Sequence, residues 1–352
     1  MKKRTPLRLD IKVLTALLVI FCCIKAAFAA YTDVYMKTPD YAFARIMEAA
    51  SRGDVDTVSD AADEKAIIGQ LFDSLINRKD SSAATLPLVK LSWEPLKQEA
   101  IENGQILITG QIAADTASPV YSNAKTTIDR RLKALGFPVP SAGWHYISAS
   151  WGRQTEPGHA EITAVFYNDA LKSSVPCTFT LERKASREWN ITGITNAVTL
   201  LTAVETAYQK ELAVQNEPIQ KQIDDTILIR DVSSRLIHTA EGGQTFLRIT
   251  YTPELKAKRE NITEIKGQYE LRRTSDKAVL YTAPIRLSLS SAKQTHVSQF
   301  LLNPFIPSQY TLIKRSDLDG TKSTLHITSV LQTDGTSWIL SDTLSPSDTA
   351  QP

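Results

Sequence analysis

Two hydrophobic periods divide this chain, and the change from one to the other constrains the fold more than any composition value. From Thr226 onward nearly every segment alternates apolar and polar residues: "TILI", "TFLRITYT", "ITEIKGQYELR", "AVLYTAPIRLSL", "HVSQFLL", "QYTLIKR", "TLHITSVLQ" and "SWILS". A period of two belongs to strands with one dry face. The turn signals "EGGQ", "LDGT" and "TDGT" separate these segments, and seven or eight short strands so punctuated predict a β-sandwich. Cysteine is absent from this half, which excludes an antibody-type bridge.

The first half opens on helical spacing instead. Thr38 suits an N-cap, Pro39 the first helical position and Asp40 the positive end of the dipole. Phe43, Ile46, Met47 and Ala50 then share one face, and Gly53 stands where a left-handed residue ends a helix. Asp54 is placed to cap a second short helix, and Asp63 a third bearing Ile67, Ile68, Leu71, Phe72, Leu75 and Ile76. Strands are expected after these. Ile106, Ile108 and Ile112 alternate around Gly110, "GHAEITAVFY" and "VPCTFTLER" alternate cleanly, and "REWNITGI" follows. A further helix is expected from Ala197 to Leu212, then a polar linker, "VQNEPIQKQIDD", containing Pro218. Helices on one side of an antiparallel sheet give an α+β layout.

The N-terminus carries the signature of export. "MKKRTPLRLDIK" is basic, "VLTALLVIFCCI" is apolar, and "AFA" supplies small residues ahead of Ala30. Cleavage after Ala29 is the expected event. The alternative is an uncleaved anchor, which reaches spanning length only by including Lys25. Six of the 40 Lys/Arg and one of the 38 Asp/Glu lie in those 29 residues, so the remainder holds 34 basic and 37 acidic side chains, a net charge near −3. No electrostatic case for nucleic acid survives that subtraction, and membrane association is expected only if the N-terminal segment stays uncleaved. Cys177 alone cannot form an intramolecular disulfide and is expected to be an inert core residue.

Chemistry-bearing residues concentrate in "GWHYISASWGRQTEPGHAE", which supplies Trp144, Tyr146, Trp151, His159 and Glu161 as the candidate ligand-binding set. His159 and Glu161 share one face of their strand, and alternation puts that face opposite Ala160 and Ile162, toward solvent. None of the pairs formed by His145, His159, His238, His296 and His326 has metal-ligand spacing on a single element, so no metal or cofactor is expected. "SDLDGTKS" lacks most of the oxygen ligands of a calcium loop and is expected to be a turn between strands.

The opening helices, with "SRGDVDTVSDAAD" at their break, and the later "TFTLERKASREWNITGI" hairpin resemble the bacterial extracytoplasmic family called domain of unknown function 2939, within the cystatin-like, nuclear-transport-factor-2-like cone fold. The resemblance implies a helical wall facing a curved sheet, and covers about the first half of the exported chain. Residues 79–103 and "YSNAKTTIDRRLKALGFPVPSAGW" depart from the pattern, the latter adding an amphipathic helix. The stretch from Asn261 to Leu312 resembles small immunoglobulin-like modules of secreted bacterial proteins, which implies a spacer or adhesive role.

The expected organisation is a signal peptide or anchor over residues 1–29, a cone-like α+β domain over 30–216, a linker over 217–225, an immunoglobulin-like β-sandwich over 226–341 and a disordered tail over 342–352. The expected function is non-enzymatic binding in the cell envelope, of a small apolar ligand or another envelope protein. An enzyme acting in the first domain, or a purely structural spacer, is the alternative.

Overall fold

A computed structural model describes residues 22–25, 31, 35–79, 87–185, 188–239, 243–275, 278–287 and 294–344. The expected cleavage point, most of the expected signal or anchor, and residues 345–352 of the expected tail lie outside the described residues. Among the described residues no helix is long and apolar enough to cross a membrane. The protein is mixed α and β, with open antiparallel sheets, and divides into two compact units, one ending at Tyr208 and the other spanning Gln209–Ser345.

The first unit begins with a single 3-10 turn and then α1 (Pro39–Ser51), α2 (Val55–Ala61) and α3 (Glu64–Lys79). The local signals act as anticipated. Thr38 Oγ1 accepts from the Tyr41 amide at 3.2 Å, Asp54 Oδ1 from the Thr57 amide at 3.0 Å, and Asp63 Oδ1 from the Ala66 amide at 3.0 Å. Gly53 has φ +79°, the left-handed conformation that stops α1 without a Cβ penalty.

Two further helices, α4 (Pro87–Ile112) and α5 (Pro119–Ala134), precede the sheet. α5 is the amphipathic insertion, capped by Ser118. α4 corrects an expectation: Ile106, Ile108 and Ile112 lie on a helix, not a strand. Their spacing of two was coincidental, and Gly110 is there for contact. A Cβ on Gly110 would sit 2.5 Å from Tyr121 Cδ2, and one on Gly104 would sit 2.9 Å from Ile68 Cδ1. Each glycine lets a neighbouring helix side chain close onto α4, and Leu107, Tyr121 and Ala124 form the resulting buried cluster.

The sheet runs β1–β3–β4–β5, with β2 also pairing β3: β1 (Trp144–Ala149), β2 (Arg153–Glu156), β3 (His159–Asn168), β4 (Ser173–Arg183) and β5 (Trp189–Ile194). Register aligns Ala160 with Leu181, Ile162 with Phe179 and Ala164 with Cys177. This row meets Phe43, Ile46, Ala49 and Val58 from the helices, with Trp189 and Ile191 from β5. Polar ties fix the helical segments to β5: Trp189 Nε1 donates to the Lys37 carbonyl at 2.9 Å, Asn190 Nδ2 to the Asp60 carbonyl at 2.8 Å, and the Ile194 amide to Gln70 Oε1 at 2.8 Å.

α6 (Ala197–Thr226) continues through the division between the units. The segment expected as a linker is therefore helical, Pro218 included. An interior proline costs about 3 kcal/mol. Opposing it, Ile223 is buried in the second unit's core and Ile219 packs against the same cluster; full burial of such a side chain contributes about 1.5 to 3 kcal/mol. Asn216 adds a two-way bond, donating to the Ser341 carbonyl and accepting from its amide, both at 2.9 Å.

The second unit holds a three-stranded sheet, β10–β7–β6, and a four-stranded sheet, β12–β11–β8–β9. The strands are β6 (Ile227–His238), β7 (Thr245–Leu255), β8 (Ile262–Arg273), β9 (Val279–Arg286), β10 (His296–Leu301), β11 (Thr321–Gln332) and β12 (Ser337–Ile339). One cluster gathers residues of both sheets, including Leu247, Ile249, Ile265, Tyr269, Leu271 and Val330. Inside it, the Tyr269 hydroxyl lies 2.9 Å from Ser234 Oγ and 3.0 Å from Ser323 Oγ, and the two serine oxygens are 2.5 Å apart. "QYTLIKR" departs from expectation, forming the short helix α7 (Pro307–Ile313) and its exit in place of a strand. Pro307 at the first helical position favours that start, and fully buried Leu312 anchors it. "SDLDGTKS" consequently joins α7 to β11 and does not link two strands.

Candidate functional site

The sheet of the first unit separates the residues singled out from sequence. Tyr146 pairs with Phe166 across β1 and β3, and its ring lies 6.0 Å from Phe166 and 6.4 Å from Phe43, on the helix-covered side. His159 and Glu161 alternate with buried Ala160 and Ile162, so they occupy the other face. Each already faces its own partner: His159 Nε2 is 3.8 Å from Glu182 Oε1, and Glu161 Oε2 is 3.6 Å from Arg153. Trp144 is half-buried at the start of β1, where its carbonyl accepts from Gln111 Nε2 at 3.3 Å. Trp151, between β1 and β2, is 81 % exposed. No common centre forms from these five.

Aromatic rings pack between the helices and the sheet of this unit. Phe43 and Phe179 ring centroids are 5.7 Å apart, and Phe166 and Phe179 are 6.1 Å apart. Cys177 is buried, which pushes its thiol pKa up to about 12, so it carries no thiolate near neutrality. Among the described residues no group of three His, Cys, Asp or Glu side chains is arranged to hold a metal.

Two open clefts lie at the edges of the same unit. One of about 290 Å³ borders Gln70, Asp73, Asn196 and the start of α6. The other, about 370 Å³, is lined in part by Asp60, Asp63, Glu64, Gln105, Lys184 and Asn190. Glu64 is only 8 % exposed; Oε2 accepts from Gln105 Nε2 at 3.3 Å, while the shielded Oε1 has no partner among the described residues. A buried acceptor left so costs about 1 to 3 kcal/mol.

The second unit presents an open sheet face. On the outward face of the three-stranded sheet, register sets three rows across β6, β7 and β10: Ile237, Phe246, Leu301; Arg235, Arg248, Gln299; and Ser233, Thr250, Val297. Val297 and Leu301 are 53 % and 54 % exposed, and Phe305, just beyond β10, is 92 % exposed. The Phe305 loop is held in place. Asn303 Oδ1 accepts from the Phe305 amide at 2.9 Å, and Gln309 Oε1 from the Asn303 amide at 2.7 Å. Beside it, the Lys314 ammonium sits 4.3 Å from the Tyr310 ring centroid, a cation–π contact.

Sequence reasoning passed over Arg235, Arg248 and Phe305. Their signal was present, since "SSRLIH" and "TFLRITYT" each put arginine on the polar side of a strand, but only register shows that the two are neighbours. No protein-family model matches this chain, and no curated protein and no solved structure matches it.

Proposed function

We propose that this is an exported, non-enzymatic protein of the bacterial cell envelope, built from a cone-like α+β domain and an immunoglobulin-like β-sandwich, that binds another envelope protein through the second unit. The basic and apolar N-terminal segments support export. The observation that carries the binding reading is Phe305, 92 % exposed on a hydrogen-bonded loop just beyond β10, the strand that carries exposed Leu301 and Val297. Large apolar side chains exposed on a hydrogen-bonded loop and on the strand before it mark a contact with another molecule. A small apolar ligand inside the first unit is less well supported, because the space between helices and sheet is taken by Phe43, Phe166 and Phe179.

Site-specific photo-crosslinking in the native host tests this. A photoreactive residue at position 305 should give one discrete adduct, and Leu301→Asp should abolish it. A smear, or an adduct indifferent to Leu301→Asp, would overturn the reading.

A further inference from the structure

The outward face of the three-stranded sheet carries charge that the described residues do not balance. Arg235 of β6 stands directly opposite Arg248 of β7, and like charges so placed destabilise a sheet. Arg230, on the same strand, is paired with Glu254 at 2.6 Å. Among the described residues, Arg235 and Arg248 have no such carboxylate. Arg248 Nε is shielded from solvent and has no hydrogen-bond partner among the described residues, a desolvated donor. The rows on either side are apolar or neutral, with Phe246 and Leu301 on one side, Thr250 and Val297 on the other.

Position within the sheet narrows the occupant. Among the described residues β10 pairs only with β7, so its outer edge offers unpaired backbone donors and acceptors. An extended chain can add to such an edge as another strand. Its alternate side chains would then fall beside Leu301, Gln299 and Val297 in turn, matching an apolar, acidic, apolar series at every second position. Strands lie about 4.8 Å apart, which puts the added strand about 10 Å from β7. A glutamate and Arg248 close that gap by reaching toward one another across Gln299, and Arg235 adds to the attracting field.

We infer that β10 and the arginine row beside it form a docking site for an extended segment of a partner protein with a glutamate flanked at i−2 and i+2 by apolar residues. This rests on the protein-binding reading above and names the partner's chemistry.

The test uses the full exported chain and two fluorescent twelve-residue peptides, one with a central Leu-Thr-Glu-Thr-Leu and one with glutamine in place of the glutamate. Fluorescence anisotropy should show the glutamate peptide binding at least tenfold more tightly, with the difference shrinking as salt rises. Arg248→Gln should remove most of the difference, Arg235→Gln part of it, and Arg235→Lys little. Both glutamine variants should melt no lower than the parent, since neither loses a partner. Arg248→Glu paired with a lysine peptide should restore binding. Equal binding of the two peptides, or preference for phosphatidylglycerol vesicles over the glutamate peptide, overturns the inference. If crosslinking at position 305 gives the same adduct yield in Arg248→Gln, the acidic segment is wrong while the binding reading stands. Absence of any adduct in the parent protein overturns both.

Discussion

At the residue scale, the buried polar groups give the sharpest expectations. Glu64 and Gln105 share one long hydrogen bond and, among the described residues, leave Glu64 Oε1 without a donor. Replacing both partners with apolar residues removes the unmet acceptor, so Glu64→Met with Gln105→Leu should raise stability by about 1 to 2 kcal/mol in urea unfolding. Cys177 acts through pH. Burial raises its folded pKa to about 12 from 9, so the folded state holds the proton more tightly across that interval. Stability from this group is complete below about pH 9 and is lost as pH rises toward 12. Tyr269 and Tyr281, also pushed up by burial, act in the same direction. Cys177→Ala should flatten the alkaline decline seen in thermal melts between pH 9 and 11. By contrast His159, about half exposed and 3.8 Å from Glu182, should cost no more than about 0.5 kcal/mol when replaced by alanine.

At the element scale, glycine and proline decide where the pattern misleads. Gly110→Ala gains about 1 kcal/mol of helix propensity. Its Cβ, however, would meet the ring of buried Tyr121 at 2.5 Å, and overpacking of that kind costs about 1 to 3 kcal/mol. The substitution should therefore lower the melting temperature, which a freely exposed helix position would not do. The helix caps at Thr38, Asp54 and Asp63 were legible because each depends on residues three positions away. The alternation of β3 and β4 was legible for the same reason, one residue determining the face of the next. α4 and α7 were not. Ile106, Ile108 and Ile112 satisfy a strand period by accident, and what makes the segment helical is packing against residues distant in sequence, Ile106 on the Tyr121 cluster and Ile112 on the Phe43 cluster. The arginine row was hidden more deeply, because Arg235 and Arg248 become neighbours only when β6 and β7 pair.

At the scale of the whole molecule, the second unit should depend on residues N-terminal to the expected sandwich boundary. Asn216 bonds both ways to Ser341, and Ile219 and Ile223 pack into the second core. A fragment spanning residues 209–345 should unfold cooperatively and melt several degrees above one spanning 219–345, which lacks Asn216. Equal melting temperatures would mean that the helix contributes nothing there. Within that unit the hydroxyls of Tyr269, Ser234 and Ser323 form a closed triangle, and each can donate once and accept once. Ser234 belongs to one sheet, while Tyr269 and Ser323 belong to the other. A slide of one sheet past the other by a single residue, about 3.3 Å, breaks both bonds to Ser234 in the same instant. The triangle thus has the geometry of a shear pin, its two bonds to Ser234 lost together and not one at a time.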